Sequence, residues 1–214
     1  TGTRCADLDK IVGQITGKPL EVIVTHMHPD HAGCIKYFDK VWMHRADTVL
    51  VPQHAADYQG EFLYMEEGQV FDLGGRKLEV AWMPGHTPGS VVLLDKANGD
   101  CYSGDAFGSG EVWLQCVPMS PIATFHESCC RMEKLMKEGH IKDIWCGHYP
   151  YLKSSLPLAY IQTMIRISHR LMNGDQEGSE PYSNYFIKMP PTARKLAEGR
   201  AMIVYDSTNI PEAR

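Results

Sequence analysis

The sequence contains no run approaching the ~18 consecutive apolar residues that a bilayer-spanning helix needs. Its longest apolar stretches, such as Val91-Val92-Leu93-Leu94, have only the length of a buried strand. There is no CxxC pair, and the 7 cysteines are an odd number with Cys129 and Cys130 adjacent, which argues against a regular disulfide framework and for a reducing, cytoplasmic compartment. A general basic footprint is also missing: 21 Lys and Arg stand against 26 Asp and Glu, a net charge of −5, and the cluster from Arg194 to Arg200 is short enough to be a solvated face. Nucleic acid and membrane are therefore not expected partners. Internal repeats, low-complexity tracts, an initiator Met and a signal-peptide profile are absent as well. Thr1-Gly2-Thr3-Arg4 thus reads as a start inside a longer chain, with any export signal out of view.

What is present suits one globular domain over residues 1–214, with 43% hydrophobic residues for a core and 22% charged residues for a surface. Leu8, Ile11, Val12 and Ile15 fall at helical spacing before Gly17-Lys18-Pro19 stops the helix. Leu20 to Thr25 follows as a strand, apolar at consecutive positions and so expected to be buried on both faces. A short helix from His31 and a strand at Val41-Trp42-Met43 come next. Gln69 to Leu94 reads as a β-meander punctuated by Gly and Pro, and a further strand, Asp100 to Ser103, follows an Asn98-Gly99 turn. Helices over Phe125–Lys137 and Leu156–Met172 flank a strand at Ile141–Cys146; 173–191 reads as a long loop and Ala201–Tyr205 as a closing strand. Helices alternating with strands imply an α/β protein whose sheets are covered by helices.

His26-Met27-His28-Pro29-Asp30-His31 places three imidazoles and a carboxylate in six residues directly after a strand. Imidazole and carboxylate are the usual ligands of a borderline divalent ion, and packing does not account for such density. Pro29 biases His28 towards extended backbone, in which residues two apart face the same way. His26 and His28 can then converge on one ion while Asp30 and His31, past the proline, turn towards a second. Two ions need more ligands than one loop supplies. His86, Asp105 and His148 answer that need, each beside a glycine and each after an expected strand.

Taken in order, THMHPDHAG, GHTPGS, SGDAF and CGHYP resemble the metallo-β-lactamase superfamily, glyoxalase II-like hydrolases in particular, over most of the chain from Thr1 to Tyr205. The resemblance implies an αββα four-layer sandwich with the metals at one edge between its sheets. It implies His26, His28 and His86 on one ion, Asp30, His31 and His148 on the other, and Asp105 as the bridge. Members of the family normally begin with several strands ahead of the Thr-Gly turn found here at residues 1–2, and those strands are missing from this sequence. Two divalent ions, Zn2+ foremost with Fe or Mn as alternatives, would carry +4; Asp30, Asp105 and a bridging hydroxide would leave about +1, which attracts an anionic small-molecule substrate. The implied chemistry is attack of that hydroxide on an ester, thioester, lactone or lactam, with Asp30 orienting the water.

Other chemistries use similar donors. A mononuclear iron dioxygenase acting on a persulfide would need only His26, His86 and Asp105, leaving His31 and His148 without a task. A metal-dependent nuclease would normally carry an RNA-binding insertion, and none is visible. Thr25, Thr87 and Ser103 are close enough in sequence to hold the outer ring nitrogens of the ligating histidines. His44, His54, His126, His140 and His169 are read as surface or packing residues, with His126 and Tyr149 the nearest to exceptions. Trp113, Leu114, Met119 and Phe125 are read as core rather than as a substrate pocket. The 173–191 loop is long enough to act as a lid.

Overall fold

Alternation along its strands decides how the chain layers. The structure, a computed structural model, describes residue 2 and residues 6–148, 153–185 and 188–211. The elements in order are α1 (Leu8–Ile15), α2 (Pro29–Ala32), β1 (Lys40–His44), α3 (Val51–His54), β2 (Glu61–Met65), β3 (Val70–Asp72), β4 (Lys77–Trp82), β5 (Val91–Asp95) and β6 (Asp100–Gly104). They continue with β7 (Glu111–Trp113), α4 (Ile122–Lys137), β8 (Asp143–Cys146), α5 (Leu158–Met172), β9 (Glu180–Pro181), β10 (Ala193–Glu198) and β11 (Ala201–Asp206).

The expected meander forms a five-stranded sheet of order β3-β4-β5-β6-β8, antiparallel except where β8 joins β6. Every residue of β5 is buried because both faces of the sheet are covered. Val91 and Leu93 join Val80, Phe71 and Met65 on one side, with Trp42 packed against them; Val92 and Leu94 join Ala81, Cys101 and Ile144 on the other, in a core shared with α4, α5 and β11. This is the period-2 alternation of a strand filling two layers at once. A second sheet of order β7-β11-β10-β9 completes that larger core, and the parallel pair β1-β2 forms a third.

Some expectations need correction. Leu20–Thr25 is not a named strand: it makes one parallel bridge, Ile23 to Trp42, and of Val22, Ile23 and Val24 only Val24 is buried. It hydrogen-bonds Trp42 through Val22 and Val24 and Val91 through Thr25, but Val22 and Ile23 stay half-buried, so the consecutive apolar positions do not become a strand enclosed on both faces. β10 arises where a basic, solvated face was expected. Its six residues pair fully with β11, Ala193 and Leu196 are buried, Leu196 in the larger core, and Arg194 and Lys195 are held by Ser179 and Glu180. The stretch read as a loop over 173–191 contains β9, an edge strand in which Pro181 is tolerated. No helix among the described residues is long and apolar enough to cross a membrane.

Candidate metal centre

Strand direction brings the donors to one edge. β4 and β6 are both antiparallel to β5, and β8 is parallel to β6, so β4, β6 and β8 end on the same side of the sheet. His86, Asp105 and His148 follow those ends. The Val91 N–H donates to the Thr25 carbonyl at 2.9 Å, which docks the residue before His26 against the start of β5. The Gly147 N–H donates to the Gly104 carbonyl at 2.8 Å and ties the loops of Asp105 and His148 together. His28 is extended (φ −69°, ψ 151°) ahead of Pro29, which opens α2 and turns Asp30 and His31 away from the preceding histidines.

All seven donors expected from the sequence come together, in two groups. Donor atoms of His26, His28 and His86 lie within 4.8 Å of one another, as do those of Asp30, His31, Asp105 and His148. Asp105 stands between the groups, with Oδ2 3.0 Å from His148 Nε2 and 3.9 Å from His86 Nε2, and Oδ1 3.3 Å from His31 Nε2. His148 Nε2 is also 3.2 Å from Asp30 Oδ2. Gly147 leaves the room this needs: a Cβ there would come within 2.5 Å of His31 Cε1 and 2.6 Å of Asp105 Oδ1.

Protonation follows from the surroundings. His86 Nδ1 lies 2.8 Å from the Trp113 carbonyl, which only accepts, so Nδ1 carries the proton and Nε2 presents a lone pair 2.9 Å from His28 Nδ1. Burial, reinforced by neighbouring histidines, lowers the pKa of His28 to about 3 and that of His26 well below the ordinary histidine value. Burial likewise lowers His86, against the opposing pull of Asp105. Three neutral imidazoles therefore face one point. In the other group, burial pushes the Asp105 and Asp30 carboxyls up, but the hydrogen bond from His148 and the nearby His31 more than offset it, and both end low. Hydrogen bonds to these two carboxylates raise the His148 pKa to about 10.

The donor set fits divalent cations on a second ground. Among the described residues, His26 Nε2 is buried and has no hydrogen-bond partner. Such an atom is rare in folded proteins, and a coordinated ion would supply the missing partner.

Several surrounding residues were not legible in the sequence. Asp47, in the turn after β1, is fully buried and accepts from the Met27 N–H, the Gly89 N–H and the Thr87 hydroxyl. The His54 ring on α3 packs edge-on to His28 at 5.8 Å, so His54, read as a surface or packing residue, borders the site. His126 instead hydrogen-bonds Ser168 on α5. Of the expected outer partners only Thr25 approaches a ligating ring, with its hydroxyl 3.4 Å from His26 Nδ1. Thr87 serves Asp47, and Ser103 donates to the Gly104 carbonyl. Leu114 and Phe125 are buried in the core, as read, whereas Trp113 is half-buried and Met119 is exposed, so these two are not core residues. Tyr149 lies outside the described residues.

Comparison with known proteins places this centre in a family. The profile of the Metallo-beta-lactamase superfamily matches residues 1–126. The chain belongs to that superfamily. The match takes in every donor but His148. Within the metallo-β-lactamase superfamily, human acyl-coenzyme A thioesterase MBLAC2 is 28% identical over 159 residues, covering 62% of this chain and 57% of that protein. Hydroxyacylglutathione hydrolase of Aeromonas salmonicida (strain A449) is 29% identical over 141 residues, covering 65% and 51% respectively. The chain thus spans about half the length of the curated relatives it matches. The crystal structure of TTHA1623 in a di-iron-bound form superposes with a TM-score of 0.54 at 25% identity, over 71% of this chain and 80% of that one.

Proposed function

We propose that this chain is a dinuclear metallohydrolase that cleaves a small-molecule ester-type bond, a thioester foremost. The observation that carries the reading is the position of Asp105 between a three-histidine group and an Asp30–His31–His148 group. His26, His28 and His86 would hold one divalent ion, Asp30, His31 and His148 the other, and Asp105 both. The ions, when bound, would supply Lewis acidity and lower the pKa of a water towards neutrality. Zinc is the first candidate on donor chemistry, and the di-iron form of TTHA1623 makes iron the second.

The chain's own residues shape the rest. The Asp30 side chain is 44% exposed and that of Asp105 13%, so Asp30 is the carboxylate that water and substrate reach. Asp30 would accept a hydrogen bond from an attacking water and so orient it. With two dications bound against the two carboxylates Asp30 and Asp105, the centre would keep a positive charge, which would favour the oxyanion that develops on an attacked carbonyl. The thioester preference rests on the name of MBLAC2, an acyl-coenzyme A thioesterase.

Elemental mass spectrometry on protein purified without added metal, followed by thiol release from acyl-coenzyme A, tests the reading. About two ions per chain and thiol release, both lost in His28→Ala, are expected. Full turnover by His28→Ala would sink the proposal. One iron per chain with oxygen uptake on a persulfide would replace it with the dioxygenase.

A further inference from the structure

We infer that Asp47 is the positioning residue of the three-histidine group and not of its neighbour; the inference rests on the dinuclear reading above. Asp47 contributes no donor to either group. Its carboxylate is instead the point at which two separate loops are fastened. Oδ2 accepts from the Met27 N–H and from the Thr87 hydroxyl, each at 2.9 Å, and Oδ1 accepts from the Gly89 N–H at 2.5 Å. Met27 is the residue between His26 and His28, and Thr87 is the residue after His86. One side chain therefore holds the backbone beside all three histidines, across 20 residues of sequence to one loop and 40 to the other.

Both oxygens of the Asp47 carboxyl act as acceptors here. Two of the three donors are backbone N–H groups, which cannot reverse their role. The third is the Thr87 hydroxyl, itself 2.9 Å from the Ser90 hydroxyl, so a relay of donors runs from Ser90 through Thr87 to Asp47. An amide at this position would turn an NH2 towards at least one of these donors. Gly89 is part of the fit, since a Cβ there would lie 2.6 Å from the Asp47 nitrogen and 2.7 Å from its Oδ1. The loops carrying Asp105 and His148 are fastened separately, through the hydrogen bond from Gly147 to Gly104. Asp30 and His31 share the loop of His26 and His28 but lie in α2, where the Ala32 N–H donates to the His28 carbonyl and the Gly33 N–H to the Pro29 carbonyl, each at 2.8 Å, so loss of Asp47 loosens the three imidazoles beside its hydrogen bonds more than the other group.

Outer partners that orient metal ligands typically change affinity by ~10–100-fold. The test is Co2+ titration of the chelated full chain, followed by visible absorption and calorimetry, in wild type, Asp47→Asn and Thr87→Val. Wild type is expected to take up two ions. Asp47→Asn is expected to keep one at wild-type affinity and to weaken the other by ~10–100-fold, with the nitrogen-rich absorption lost first. Thr87→Val, which keeps the carboxylate and removes one hydrogen bond, is expected to weaken the same ion by a smaller factor, and it carries the test if Asp47→Asn fails to fold. Two unchanged affinities, or equal weakening of both, would overturn the positioning role. A wild-type chain that takes up no metal would instead overturn the dinuclear reading itself, and this inference with it.

Discussion

Acidifying the metal-free protein should unfold it over a window set by three buried histidines. An unfolded-chain histidine takes up its proton near pH ~6.5. His28 in the folded chain stays neutral until about pH 3. Between those values the unfolded state binds the extra proton, so stability falls as pH falls, by about 1.4 kcal/mol per pH unit for each such group. Over the full window His28 alone contributes a loss on the order of 5 kcal/mol. His26 and His86 shift in the same direction for the same reason, so they steepen the loss of stability as pH falls. His148 adds nothing in this window, because its raised pKa leaves it protonated in both states. Domains are typically stable by ~5–15 kcal/mol, so the loss from His28 alone reaches the lower end of that range and the chelated protein should unfold as pH approaches about 3. Urea unfolding of chelated protein at several pH values between neutrality and that limit measures the slope. His28→Gln should reduce it by about 1.4 kcal/mol per unit. An unchanged slope in that variant would refute the claim that the buried imidazoles are neutral.

Further outcomes follow from the same geometry. Gly147→Ala places a methyl against His31 and Asp105, and turnover should fall by ~100-fold or more while the melting temperature barely moves; thiol release and a thermal scan on one preparation check this. Phe125→Ala empties a fully buried position packed against Gly85, just ahead of His86, and should cost ~3–5 kcal/mol in urea unfolding. In the metal-free protein the raised His148 pKa contributes stability that is complete below pH ~6.5 and is lost as pH rises through about 10. The side chain is 34% exposed, so solvent screening reduces that contribution to about 2 kcal/mol, and its disappearance in His148→Gln, read from stability at pH 6.5 against pH 11, checks it.

The centre was more legible in the sequence than the framework around it. Histidine and aspartate in a six-residue loop, and Gly-His or Gly-Asp pairs after strands, mark themselves because their chemistry is local. The meander from Val70 to Gly104 was legible for a similar reason, since alternation and turn residues are short-range signals. β10 was not, because Ala-Arg-Lys-Leu-Ala-Glu becomes a strand only by pairing with β11. The segment before His26 failed in the opposite sense: its Val-Ile-Val run has strand propensity, but its ladder is a single bridge to Trp42. Asp47 left no trace, as an isolated acid in a turn looks solvated until the loops it fastens are seen to close over it. His54 likewise needed the placement of α3 beside His28 to stand apart from the other surplus histidines.

The common direction of β4, β6 and β8 has a counterpart at their opposite ends. The turns that leave there, Leu73–Arg76, Lys96–Gly99 and the stretch 138–142 between α4 and β8, contain none of the seven donors. Insertions, affinity tags or new termini introduced at Ala97 or Asn98 would lengthen the molecule on the side remote from its chemistry. The sheet is thus built so that one margin can diversify while the other stays fixed.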